Sequence, residues 1–316
     1  MIYNKPSAGG GILELERYLG FISGSFDFSR LASYIVLAQD ELSRIFSLQV
    51  YDAVEQYYHS EDYIGELDSD TLTPRDIITQ YFQRAAGAYA YLKYAPNGDL
   101  SHDSGGRKID MEGSQHTAFD RQIDRSDMAT AELFSTSVNT IYDLLEENPE
   151  AFPQWQDSPA RTRTSDTLLP TARIFSDSFD IGGSYFLYYK LTPSLRIQEA
   201  TRIRPLLGDQ YERIRTGNDP TDQLSVMARR ALAVLTIADN ITKGSFTYFA
   251  RNILPSDASL EERRAEYQAL MEEYARLSDT ITSLVASSEG EDTGGGYSSF
   301  ENSEKNKYVF IPLPNA

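Results

Sequence analysis

The chain has no cysteine, which removes disulfide bonds, thiolate metal sites and any redox clue to compartment. It has a single tryptophan, Trp155, and three histidines, His59, His102 and His116. No HExxH occurs and no two of the histidines share a helix face, so the usual zinc arrangements are missing. No run of about 18 apolar residues exists to cross a bilayer as a helix. The opening Met1-Ile2-Tyr3-Asn4-Lys5-Pro6-Ser7 lacks the apolar core of a secretory signal. These absences lead us to expect a soluble, intracellular protein without membrane contact. Positive charge is the scarcer sign: 29 Lys and Arg face 47 Asp and Glu, a net −18. Non-specific nucleic-acid binding rests on neutralising phosphates with Lys and Arg, so a chain this acidic is a poor candidate for it unless its basic residues cluster. The basic residues that do gather, Arg196, Arg202, Arg204, Arg213 and Arg215, then Arg229-Arg230, are spread among acids and read as solvated or ion-paired helix faces.

Catalytic signatures are missing too. Gly9-Gly10-Gly11, Gly105-Gly106, Gly182-Gly183 and Gly294-Gly295-Gly296 neither form GxGxxG nor precede GK[ST], and no GxSxG is present. The stretch from Asp99 to Asp110 spaces oxygen donors like a calcium loop. However, Ser104 stands where an EF-hand needs Gly, and Asp110 where it uses Glu. A polar turn between two helices is the simpler reading. No cofactor, metal or catalytic residue is expected.

What the chain does have is apolar residues at 41%, enough for a sizeable core, and 21 Tyr with 15 Phe. Tyr81, Tyr89, Tyr91 and Tyr94 with Phe82 either line a ligand groove or pack a helix face; packing is the plainer account.

The chain also echoes itself. Phe26-Asp27-Phe28, Leu31, Ile35 and Tyr51-Asp52 recur 160 residues later as Phe186-Leu187-Tyr188, Leu191, Leu195 and Tyr211-Glu212. Asp76-Ile77-Ile78 with Gln83-Arg84-Ala85 matches Asp222-Gln223-Leu224 with Arg229-Arg230-Ala231. Phe134, Ile141 and Leu144-Leu145 match Tyr274, Ile281 and Leu284-Val285. Three- and four-residue apolar steps predict helices within both copies. The fold expected is mainly α: two pseudo-repeats of a three-helix unit, with a short β-hairpin near 174–189 around Gly182-Gly183 and a C-terminal strand near 308–311. The organisation expected is an N-terminal segment 1–25, a first repeat 26–148, a connector 149–190, a second repeat 191–287, and a flexible linker with the terminal strand over 288–316. Ser29 is the expected cap of the first long helix, and Pro205 should kink or break the second copy's first helix. Tyr308, Val309, Phe310 and Ile311 form the one candidate partner-binding element: they fold back on the chain's own sheet or add to a neighbour's edge.

An apolar helix leads into Leu48-Gln49-Val50-Tyr51-Asp52 and again into Leu207-Gly208-Asp209-Gln210-Tyr211-Glu212. An Ala-rich helix follows (Arg84-Ala85-Ala86), then Leu100-Ser101-His102-Asp103-Ser104-Gly105, a long helix closed by Asn148-Pro149, and Phe152-Pro153-x-Trp155. This pattern, over most of residues 26–287, resembles an uncharacterised family of Bacteroidetes and their phages and prophages, whose helical units are similar to head–tail connector (adaptor) proteins of tailed phages. The resemblance implies a non-enzymatic virion component between portal and tail. Its partners would be proteins, itself or other virion components, and DNA would meet it only by channel passage. The second copy departs from the first in its shorter inter-helix loop and in Pro205. Two other readings stay open: a glycan- or peptide-binding protein of a gut-type bacterium using Tyr-rich helices, and an enzyme with a carboxylate site between the halves.

Overall fold

The computed structural model describes residues 1–5, 10–22, 27–65, 71–98, 101–103, 106–108, 120–217, 222–241 and 258–292, and it is mainly helical. Helix α1 (Gly11–Leu19) is followed by α2 (Phe28–Phe46), which starts at Asp27, whose carboxylate accepts the Ser29 backbone N–H at 2.9 Å. The cap is therefore Asp27, and Ser29 falls inside the first turn. Leu31, Ile35, Ala38, Leu42 and Ile45 are all buried on one stripe, as their spacing predicts. Ser47 ends α2 with φ at 83°, and its hydroxyl then accepts the Val50 N–H to open α3 (Leu48–His59). One residue thus ends one helix and begins the next.

Helix α4 (Pro74–Gly98) begins with a reciprocal cap. The Thr73 hydroxyl accepts the Asp76 N–H at 3.2 Å, while Asp76 Oδ2 accepts the Thr73 N–H at 2.9 Å and its hydroxyl at 2.6 Å. Asp76 Oδ1 also takes the Ile64 N–H at 2.8 Å and the Tyr57 hydroxyl at 3.0 Å. Further along, α4 is lined with buried alanines, and Gly87 lets the first residues of the chain lie against it: a Cβ there would stand 2.6 Å from the Tyr3 hydroxyl oxygen. Buried Glu14 of α1 completes this contact. Its carboxylate accepts the Asn4 N–H at 2.6 Å, the Tyr58 hydroxyl at 2.8 Å and the Gln83 side-chain N–H at 3.1 Å. Burial pushes the Glu14 carboxyl above its ordinary value and outweighs the four hydrogen bonds that pull it down.

Helix α5 (Asp120–Glu147) packs along α4. The chain then makes a 3-10 turn (Pro153–Trp155) and two short helices, α6 (Pro159–Thr162) and α7 (Ala172–Ser178). Helix α8 (Tyr185–Gln198) follows directly. The hairpin expected near 174–189 is not formed; that stretch is the end of α7, a turn and the start of α8. Gly182 and Gly183 do turn the chain, both with φ at 66°. The flanking segments are helical because Thr171 and Ser184 cap them, accepting the Ile174 and Leu187 N–H groups. Tyr185, Phe186, Leu187 and Tyr188 are all buried, so the aromatic run is a helix enclosed on several sides and not a half-buried strand. The strands among the described residues are a short antiparallel pair, β1 (Ser101–Asp103) and β2 (Gly106–Lys108), with His102 opposite Arg107.

After α8 comes one π-helical turn (Glu199–Ile203), then α9 (Arg204–Leu207) with Pro205 in its first turn. The helical run is not broken at Pro205: it passes through the π turn just ahead of the proline, which has no N–H to give, and ends at Gly208. Gly208, with φ at 53°, separates α9 from α10 (Gln210–Thr216). Helix α11 (Gln223–Ile241) is buried over most of its length between α8 and α12 (Leu260–Asp292), which extends beyond residue 287, where the linker was expected to begin. Buried apolar side chains from Ile2 to Ile281 join in one cluster.

Asp76 sets a pH test. Burial works to raise its carboxyl, but the hydrogen bonds from Thr73, Ile64 and Tyr57 win and hold it below the ordinary 3.8. A depressed carboxyl stabilises the fold above its unfolded value, and that contribution is lost as pH falls through the folded value. Asp76→Asn should cost about 1–3 kcal/mol at pH 7, because Asn offers one acceptor atom to donors that now share two. Urea unfolding from pH 7 down to 3 should show the gap between wild type and variant closing below about pH 4; a constant gap would remove Asp76 from the acid response.

Candidate functional site

Four helices and the 3-10 turn converge through aromatic rings. Phe46, at the end of α2, lies 5.2 Å from Phe82 of α4, 6.0 Å from Trp155 and 5.8 Å from Tyr185 of α8 (centroid to centroid). Tyr185 stacks on Tyr142 of α5 at 4.0 Å with the rings 9° from parallel. Asn139, one turn earlier on α5, accepts the Phe186 N–H at 2.9 Å and the Ser184 hydroxyl at 3.2 Å, and so helps cap α8 from a neighbouring helix. The Tyr185 hydroxyl donates to the Ile45 carbonyl at 3.2 Å, using an acceptor near the C-terminus of α2. Glu146 of α5 accepts the Trp155 indole N–H at 2.7 Å and holds Arg161 in a two-pronged pair at 2.9 and 3.3 Å.

On the solvent side of this seam lies a cavity of about 220 Å³ walled by Tyr142, Tyr185, Tyr188 and Tyr189 with Arg161 and Arg163. It adjoins a wider groove of about 600 Å³ between Arg44 and Ser47 on one side and Lys190 and Pro193 on the other. Arg163, Tyr189 and Thr192 line both.

Charge in the groove runs against that of the chain. Lys190 pairs with Glu41 at 2.7 Å, and Arg44 meets the same carboxylate at 3.7 Å. Arg161 pairs with Glu146, and Arg196 with Asp166 at 3.3 Å. Both seam carboxylates, Glu41 and Glu146, are thus engaged by cations. Arg163 differs: its guanidinium lies 5.0 Å over the Tyr189 ring and donates to the Arg44 carbonyl at 2.9 Å, with no carboxylate in ion-pair range among the described residues. Burial pushes the Tyr142 phenol up to about 12 and raises those of Tyr185, Tyr188 and Tyr189, so all four stay protonated at neutral pH. The site therefore offers flat aromatic walls, phenols and a positioned guanidinium, a set suited to holding an anion beside an apolar or aromatic group.

Residues singled out by sequence lie elsewhere. Tyr308, Val309, Phe310 and Ile311 fall outside the described residues, as do His116 and, in the Asp99–Asp110 loop, all positions but the β1 and β2 residues. Among the described residues no group of three or more His, Asp and Glu could hold a metal ion. His59 sits on α3 with Nε2 4.0 Å from Glu55. The tyrosine series on α4 packs helix faces: Tyr89 meets Phe134 at 5.2 Å, Tyr91 meets Phe21 at 5.0 Å and Tyr94 meets Tyr34 at 5.7 Å. Among the basic residues of the second half, Arg213 pairs with Asp222, Arg215 with Glu212 and Arg230 with Glu273, while Arg204 lies over the Tyr211 ring. Sequence reasoning missed the groove. Its one local signal was Arg161-Thr162-Arg163 in a Ser- and Thr-rich connector, because Arg44 and Lys190 join it only through folding.

Trp155 carries the seam. Trp155→Ala should lower unfolding free energy by about 3–5 kcal/mol, combining a large cavity with a lost partner for Glu146. Guanidinium denaturation measures it; a loss below about 1 kcal/mol would mean the rings are not packed as described. No family model, curated protein or solved structure matches this chain.

Proposed function

We propose that the chain is a non-enzymatic structural adaptor of the head–tail connector type, built from a duplicated three-helix unit and binding proteins, itself or other virion components. The observation that carries the duplication is a pair of matching helix breaks. Ser47 and Gly208 both take positive φ, and each is followed by a shorter helix with a buried tyrosine, Tyr51 or Tyr211. Leu31 and Leu191, and Ile35 and Leu195, lie 160 residues apart and are all buried. Across the π-helical turn the spacing becomes 161, pairing Leu42 with Ile203 and Phe46 with Leu207, all buried. It returns to 160 at Tyr51 and Tyr211, then Val54 and Ile214. A π turn holds one residue more than an α turn, which accounts for the step. Each copy continues with a mostly buried helix, α4 or α11, and a long outer helix, α5 or α12.

The adaptor reading is further supported by the groove, whose Tyr and Arg lining is of the kind that dominates protein interfaces. In a chain this acidic, DNA would pass without adhering. The same lining favours a second reading, a peptide-holding protein outside any virion, and the two predict different neighbours. Sequencing the DNA flanking the gene should find portal, capsid and terminase genes. Native mass spectrometry of the chain with the encoded portal protein should then show a ring complex. Flanking transporter or hydrolase genes would sink the connector reading and leave the peptide-holding one.

A further inference from the structure

We propose that the groove between α2, α6 and α8 is the docking site for an acidic peptide segment of a partner protein, with Arg163 receiving a carboxylate and the Tyr142–Tyr185 wall receiving an adjoining aromatic or aliphatic side chain. This rests on the reading of the chain as a protein-binding adaptor, without requiring that the partner be a portal.

The argument begins with the cations. Arg44, Arg161, Arg163 and Lys190 line one depression, with Glu41 and Glu146 as their carboxylate partners, in a chain whose acids outnumber its bases 47 to 29. Such a local reversal of sign attracts a short acidic segment, while the acidic bulk of the molecule repels a long polyanion. That favours a peptide over a nucleic-acid strand.

Arg163 is the natural receptor. The other three cations each have a carboxylate partner, whereas Arg163 is held by the Tyr189 face and the Arg44 carbonyl. A guanidinium fixed in this way keeps much of its donor fork for a carboxylate and loses little rotamer freedom on binding. The wall beside it is already ordered: the Tyr142–Tyr185 stack and the Tyr188 hydroxyl, which donates to the Leu169 carbonyl at 2.6 Å, are set by the core and not by a ligand. A cavity of about 220 Å³ suits a side chain or two of a peptide better than a whole cofactor.

The test is selection of a random 12-residue peptide library on the immobilised full chain, with binding of the enriched peptides then measured by fluorescence polarisation. Peptides carrying Asp or Glu within a few residues of an aromatic or aliphatic side chain are expected. Replacing that acid by its amide, or Arg163 by Met in the protein, should weaken binding at least tenfold. Arg163→Lys should restore only part of it, since an ammonium lacks the fork. Thermal unfolding of Arg163→Met checks that the variant folds. If it does not, raising salt from 50 to 500 mM must weaken binding to the wild type at least tenfold. Enrichment of no motif, enrichment of peptides without acids, binding unaffected by Arg163→Met, or tighter binding of a 12-nucleotide oligothymidylate would each overturn the proposal. Failure here with portal genes beside the gene would leave the connector reading standing; the converse result would remove that reading and keep the groove.

Discussion

The stack of Tyr185 on Tyr142 is the contact on which the arrangement turns. Tyr185 opens α8, so its position sets where the rest of that helix runs. Its ring is held by Tyr142 on one side and the Phe46–Trp155 pair on the other, and its hydroxyl reaches the α2 terminus. Asn139 fixes the backbone of the next residue from the same face of α5. Helices that are distant in sequence are thereby locked in both rotation and height, and the groove is a by-product: it is the space left where α2 and α8 part on the outer side of the locked rings. Its rigidity comes from the core, so a ligand would meet a surface whose ordering cost has already been met in folding.

A second constraint acts at the other end of the first half. Glu14 is a charged group placed where water does not reach, and four donors from three segments converge on it. Taking a carboxylate out of water is unfavourable, and donors on the chain replace the lost hydration only when all of them are in place. Residues 1–5 are thus tied to α1, α3 and α4 by polar contacts as well as by the burial of Ile2 and Tyr3. The Met1 amine adds a pair with Glu55.

Helices were legible wherever one apolar stripe met one core. Leu31 to Ile45 of α2 carries its periodicity openly. The misreading came where burial is nearly all-round. In Tyr185 to Tyr188 no polar face interrupts the run, so alternation and helical period cannot be told apart, and aromatic β-propensity pointed the wrong way. Thr171 and Ser184, three residues ahead of the N–H groups they cap, were the overlooked evidence. Pro205 follows a π turn and marks no break; helical conformation continues to Leu207, and the break is at Gly208. The groove was illegible for the opposite reason: Arg44, Arg163 and Lys190 become neighbours only through the seam, and no window of sequence holds all three.

Helix α12 bears on how far such an architecture can extend. The face of α5 that receives α8 presents Asn139, Tyr142 and Glu146. The positions 140 residues later on α12 are Asp279, Thr282 and Ala286, all exposed. There is no ring there to stack on and no carboxylate at the last position to hold an indole and a guanidinium. A helix docking as α8 docks on α5 would have to desolvate an aspartate and gain little apolar contact. Stacked-repeat proteins end in units with a polar outer face, and α12 has that character. On the duplicated reading, this face of α12 does not offer a further helix the contacts that α5 offers α8.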